Sequence, residues 1–211
     1  ASIYVASRTS KGLAGKNATH IPFDVLQDDL PLEKLPAVID GFAYCPGSIN
    51  LRPFKGLKPE AFTADFSINV MGAVKTLQQL QPLLAASEQA SVVLFSTVAV
   101  QTGMPFHASV AAAKGAVEGL GRSLAAEWAP KVRVNVIAPS ITDTPLANRF
   151  LNNDAKKEKA ALRHPLKRLC TLFVPFLYFF CILFVPLLVF FCTILYPCCT
   201  PSVNILYPFC N

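Results

Sequence analysis

The chain has 211 residues, with 19 Lys or Arg against 13 Asp or Glu and 53% hydrophobic residues, enough for one α/β domain with its own core. Every charged residue lies in 1–168; residues 169–211 hold none, yet hold six of the seven cysteines. The net +6 therefore belongs to the first part, where it favours phosphate-bearing ligands. Lysines scattered as Lys55, Lys58, Lys75, Lys114 and Lys131 argue against a nucleic-acid surface, and the lone Cys45 implies no disulfide framework and fits a reducing compartment.

In chain order, residues 1–7 (ASIYVAS) read as a buried strand, ended by Arg8, Thr9 and Ser10 and a glycine-containing loop. Starting on a strand, the chain reads as entering a domain midway. Residues 19–24 form a second short strand, and 37–44 (AVIDGFAY) a third, closed by Cys45-Pro46-Gly47, where Pro and Gly stop regular structure. Across 59–84, apolar Phe62, Phe66, Val70, Ala73, Leu77, Leu80 and Leu84 recur close to every 3.6 residues, predicting a helix. Residues 92–96 follow as a strand, 107–128 as a helix and 132–138 as a strand; 143–163 reads as a mobile polar helix or loop. Strands alternating with helices of crossover length predict an α/β fold with a parallel sheet covered on both faces.

The segment 92–120, VVLFSTVAVQTGMPFHASVAAAKGAVEGL, is identified as the catalytic segment of a short-chain dehydrogenase/reductase. In that family a Tyr and a Lys stand at i and i+4 on one helical face, with a Ser thirteen positions before the Tyr. Here the three positions are Thr97, Val110 and Lys114. The resemblance spans 1–168 and implies a Rossmann-like doubly wound sheet, incomplete because the family's first strand, its Gly-rich phosphate turn and its last strand are missing. No G-x-x-x-G-x-G occurs in the sequence. It further implies NADP as cofactor, a small carbonyl or alcohol substrate and a homo-oligomer. Lys114 would bind the ribose hydroxyls, Thr97 would polarise the substrate carbonyl, and Asn69 would support a proton-relay water. Arg8, with Thr9 and Ser10, resembles the grip on a 2′-phosphate, while Asp24 and Val25 match the adenine contact. Pro46 and Gly47 match the family's N-A-G turn, and Pro139 and Thr144 match the segment around the nicotinamide amide.

Val110 departs from the pattern, since valine has no proton to release and removing a general acid typically forfeits 10²–10⁴-fold in rate. His107, Ser109 and Tyr44 are the sequence's candidate substitutes. The resemblance thus implies an oxidoreductase impaired at Val110, or alternatively a non-catalytic nucleotide-binding or structural subunit of an assembly.

Residues 169–211 repeat with a period of eleven, marked by Cys170, Cys181 and Cys192. Three readings stand: a membrane anchor over 169–195, preceded by Arg163, Lys167 and Arg168; a thiol metal site, against which the cysteine spacing argues; or a frameshift or intron read-through following the domain.

Overall fold

The computed structural model describes residues 2–163, Lys167, Leu169 and the backbone of Ile205–Leu206. Its strands are β1 (Tyr4–Ser7), β2 (Thr19–Pro22), β3 (Gly41–Tyr44), β4 (Ala90–Phe95), β5 (Val132–Ile137) and β6 (Ile205–Leu206). All described pairings are parallel. They form two groups, β1 with β2 and the four-stranded sheet β3-β4-β5-β6. β1 and β3 do not pair, so the sheet is divided where the resemblance places one more strand. At the opposite edge, Ile205 and Leu206 pair with Val136 and Ile137; a two-residue strand stands where the sequence predicted none.

β4 is central, with five consecutive residues buried before Phe95, as its unbroken apolar run dictates for a strand covered on both faces. Leu77, Leu80 and Leu84 pack from one side with Val92 and Leu94, and Val117 and Ala125 join Val134 and Val136 in the same core. Phe23, Val25 and Leu30, which follow β2, belong to that cluster too. Side chains, not strand pairing, therefore attach the β1–β2 unit to the rest.

The helix predicted across 59–84 is interrupted. α1 (Pro59–Phe66) passes into a π-helical turn, Ser67–Met71, before α2 (Gly72–Ala85). Two hydrogen bonds explain the widening: Asn69 Nδ2 donates to the Asp65 carbonyl at 2.8 Å, and the Tyr44 hydroxyl donates to the Ile68 carbonyl at 2.6 Å. Groups inserted into the i→i−4 ladder displace its regular bonds, and such single π turns cluster at functional sites. A short helix α3 (Ala99–Thr102) follows β4, then α4 (Ala108–Trp128). The polar stretch 143–163 resolves into a 3₁₀ turn, Pro145–Ala147, and a helix α5 (Asp154–Arg163).

Among the described residues no helix is long and apolar enough to cross a membrane. The readings of the tail and of the boundary at Arg168 lie outside the described residues.

Candidate functional site

Parallel register brings three loops to one end of the sheet. Tyr44 pairs with Leu94, and Phe95 with Ile137, so the segments after β3, β4 and β5 leave the sheet side by side. Backbone bonds tie two of them together, Ser96 N to the Ile137 carbonyl at 2.7 Å and Val98 N to the Pro139 carbonyl at 3.2 Å. The crevice outside the carboxyl ends of parallel strands is the general ligand position of open α/β sheets.

α4 presents its buried face here. Val110, Ala113 and Val117 lie on that face, and Lys114, one turn after Val110, reaches the crevice. A side chain at Gly47 would come within 3.1 Å of Asn69 Oδ1 and 3.6 Å of Lys114 Nζ. Gly47, Asn69 and Lys114 thus surround one point, which the missing Cβ leaves open. Burial holds the Lys114 ammonium down to about 8, and the Cys45 thiol beside it acts weakly in the other direction. The Cys45 thiol is itself pushed up by the surrounding protein, although the residue keeps a solvent-facing side. Lys114 Nζ has no hydrogen-bond partner among the described residues, and Asn69 Oδ1 is buried and unpaired.

The other positions expected from the sequence divide into two sets. Thr97 is half-buried and its hydroxyl oxygen accepts from Ala99 N at 3.3 Å, a bond that does not use its O–H. Pro46, Gly47, Pro139 and Thr144 lie in the loops at the same end; Thr144 also accepts from Ala147 N at 2.9 Å, opening the 3₁₀ turn. Arg8, Thr9 and Ser10 are exposed at the end of β1, on the separate two-stranded unit. Asp24 Oδ1 accepts from Leu26 N at 3.0 Å, while Val25 is buried in the core and meets the space above Gly72.

The candidate substitutes for the missing phenol are placed elsewhere. Tyr44 is buried with its hydroxyl given to Ile68, and burial raises its pKa. Ser109 is 1% exposed, inside the fold. His107 Nδ1 donates to the Pro105 carbonyl at 2.8 Å, which makes Nε2 of the neutral ring an acceptor.

One group went unread in the sequence. Asp65, with 0% exposure, accepts at Oδ1 from the Ser48 hydroxyl at 2.5 Å and from Asn50 Nδ2 at 2.8 Å. Asn69 Nδ2 also donates to Ser48 Oγ at 3.1 Å. This network fastens the loop after β3, and that loop lines an open pocket of about 360 Å³ with Pro145, Leu146 and Arg149. No local signal announced it, because the partners of the carboxylate, Ser48 and Asn50, lie on a distant loop.

The layout of strands, helices and crevice defines a Rossmann-like α/β protein. The family model described as Enoyl-(Acyl carrier protein) reductase matches residues 31–172, more than half of the chain. The chain belongs to the short-chain dehydrogenase/reductase family, a family of oxidoreductases. It is similar to a tropinone reductase homologue of Arabidopsis thaliana, 34% identical over 124 residues covering 58% of this chain and 47% of the relative. A tropinone reductase homologue of Datura stramonium is 38% identical over 116 residues, 51% of this chain and 43% of that one. The chain thus spans about half the length of the curated relatives it matches. Among solved structures, the ligand-free aldohexose dehydrogenase of Thermoplasma acidophilum superposes with a TM-score of 0.80 at 21% identity, over 98% of this chain and 82% of that one. The gluconate 5-dehydrogenase of Burkholderia cenocepacia, in complex with NADP and tartrate, gives 0.76 at 22% identity, over 87% and 78%. Both likenesses speak to the fold.

Proposed function

We propose that this chain is an NADP(H)-dependent oxidoreductase scaffold acting on a carbonyl or alcohol, with turnover reduced by valine at position 110. The observation that carries the reading is the meeting of the Lys114 amine and an unpaired amide oxygen, Asn69 Oδ1, above Gly47. A donor and an acceptor side by side suit ribose hydroxyls, which both give and take hydrogen bonds, and a Cβ at Gly47 would fill the cradle. When bound, the dinucleotide supplies or removes hydride; the chain's own residues bind, orient and manage the proton. Thr97 would donate to the substrate oxygen. Pro139 and Thr144 would flank the nicotinamide amide, Arg8, Thr9 and Ser10 would hold the 2′-phosphate, and Asp24 and Val25 would lie by the adenine. The pocket bounded by Ser48, Asn50, Leu146 and Arg149 would receive the substrate.

Support comes from family membership and from the NADP in the Burkholderia structure. A homo-oligomer built on α4 and the helical stretch 59–84 fits the small residues Ala111, Ala112, Ala113, Gly115 and Gly119 on α4, and Cys45 as the sole thiol of 1–168 fits a reducing compartment.

Calorimetry with NADPH, alongside turnover of a panel of carbonyl compounds, tests the reading. Lys114→Ala should weaken NADPH binding about tenfold, the worth of one charge-assisted hydrogen bond. Equal affinity in both proteins, with turnover in neither, would overturn it. Tight binding without any chemistry would instead favour a second reading, a non-catalytic nucleotide-binding or assembly subunit, which Val110 motivates.

A further inference from the structure

Reduction of a carbonyl needs a proton at oxygen, and the position that the family reserves for it holds Val110, whose side chain has none to give. The nearby hydroxyls and imidazole do not fill the gap. Tyr44 is bonded to the Ile68 carbonyl, Ser109 is enclosed, and the His107 ring is turned toward Pro105. What remains at the open point above Gly47 is the amine of Lys114, with Asn69 Oδ1 across from it.

Resting on the oxidoreductase reading above, we propose that Lys114 is the proton donor of this chain, delivering its N–H proton to the substrate oxygen at the open point above Gly47. The balance is simple. As hydride adds to the carbonyl carbon, the C=O π pair moves to oxygen, an N–H bond of Lys114 breaks and an O–H bond forms. The neutral amine then regains a proton from solvent, and the reverse sequence serves alcohol oxidation.

Surroundings agree with the role. Burial brings the ammonium to about 8, within reach of a proton donor working near neutrality. Cys45, on the loop after β3, is the titratable neighbour that acts on it. Glu118, one turn further along α4, accepts from Ser96 Oγ at 2.7 Å and faces Arg122 at 3.8 Å. The Asp65 carboxylate from α1 is taken by Ser48 and Asn50, and Tyr44 from β3 is bonded to Ile68.

The test uses Lys114→Arg, which keeps a cation for the ribose but cannot release a proton in the working range. With NADPH held at saturation for each protein, kcat should fall on the order of 100-fold or more. In the unliganded parent, competitive acetylation followed by mass spectrometry should titrate Lys114 with a midpoint near 8, and the reductive rate should decline above the same pH. Adding Val110→Tyr to Lys114→Arg should restore turnover. An arginine variant as active as the parent, or a Lys114 midpoint equal to that of surface lysines, would overturn the assignment. Inactivity of the parent protein itself would overturn it together with the oxidoreductase reading, whereas an active parent with an active arginine variant would overturn this assignment alone.

Discussion

At the scale of single residues, the site rests on a few side chains whose partners determine what each can do. Tyr44 is the clearest case. Its place at the end of β3 suggests a cleft-facing phenol, yet its hydroxyl donates to the Ile68 carbonyl within the π turn, and Gly72 is obliged to be small because Tyr44 Oη and Val25 occupy the space above it. Tyr44→Phe should therefore lower stability by about 1–3 kcal/mol, the cost of stranding a buried carbonyl, measured by denaturant unfolding. It should leave turnover per folded molecule unchanged; a proportionate loss of turnover would identify Tyr44 as the proton donor and displace Lys114. Lys114, Asn69 and Gly47 became legible through the family resemblance, whose helix and turn positions they match in order. The sequence left Asp65 dark, since nothing local announces that a carboxylate four residues before an asparagine will be covered and bonded to a loop fifteen to seventeen residues upstream.

At the scale of elements, α4 has to approach the sheet closely enough to hold Lys114 over the strand ends. Gly121 permits it: a Cβ there would collide with Val136 Cγ2 of β5. Gly121→Ala should push α4 outward and lower stability by roughly 1–3 kcal/mol, as overpacking does. The penalty would exceed the small gain in helix propensity that alanine brings to an exposed helix position. Thermal unfolding measures the loss, and an unchanged or higher Tm would show that the helix does not rest on the strand at this point. Periodicity located α2 and α4 well, because each buries a stripe against one core. The break at Ser67–Met71 had no such signal, since Tyr44, which takes part in it, comes from a strand more than twenty residues away.

For the molecule as a whole, the buried amine leaves a signature in stability against pH. Burial makes Lys114 keep its proton only up to about 8 when folded, against 10.5 in the ordinary side chain. Between those values the unfolded chain binds more protons than the folded one, so unfolding free energy rises with pH across that window and this group adds no slope below it. The rise is on the order of 2–3 kcal/mol. Lys114→Met should abolish it and be the more stable protein at pH 7, read from denaturant titrations between pH 7 and 10; identical pH profiles would place the amine in bulk water. The alternation of strands and helices gave away the architecture, whereas the two-residue strand Ile205–Leu206 depends on distant pairing with β5 that an uncharged, repetitive tail does not announce.

The division of the sheet has a mechanical consequence. Among the described residues β1 and β3 each pair on one flank only, so each keeps a row of amides and carbonyls able to pair with one further strand. An extended peptide that enters the seam would knit the two groups into a single sheet and brace the molecule against heat.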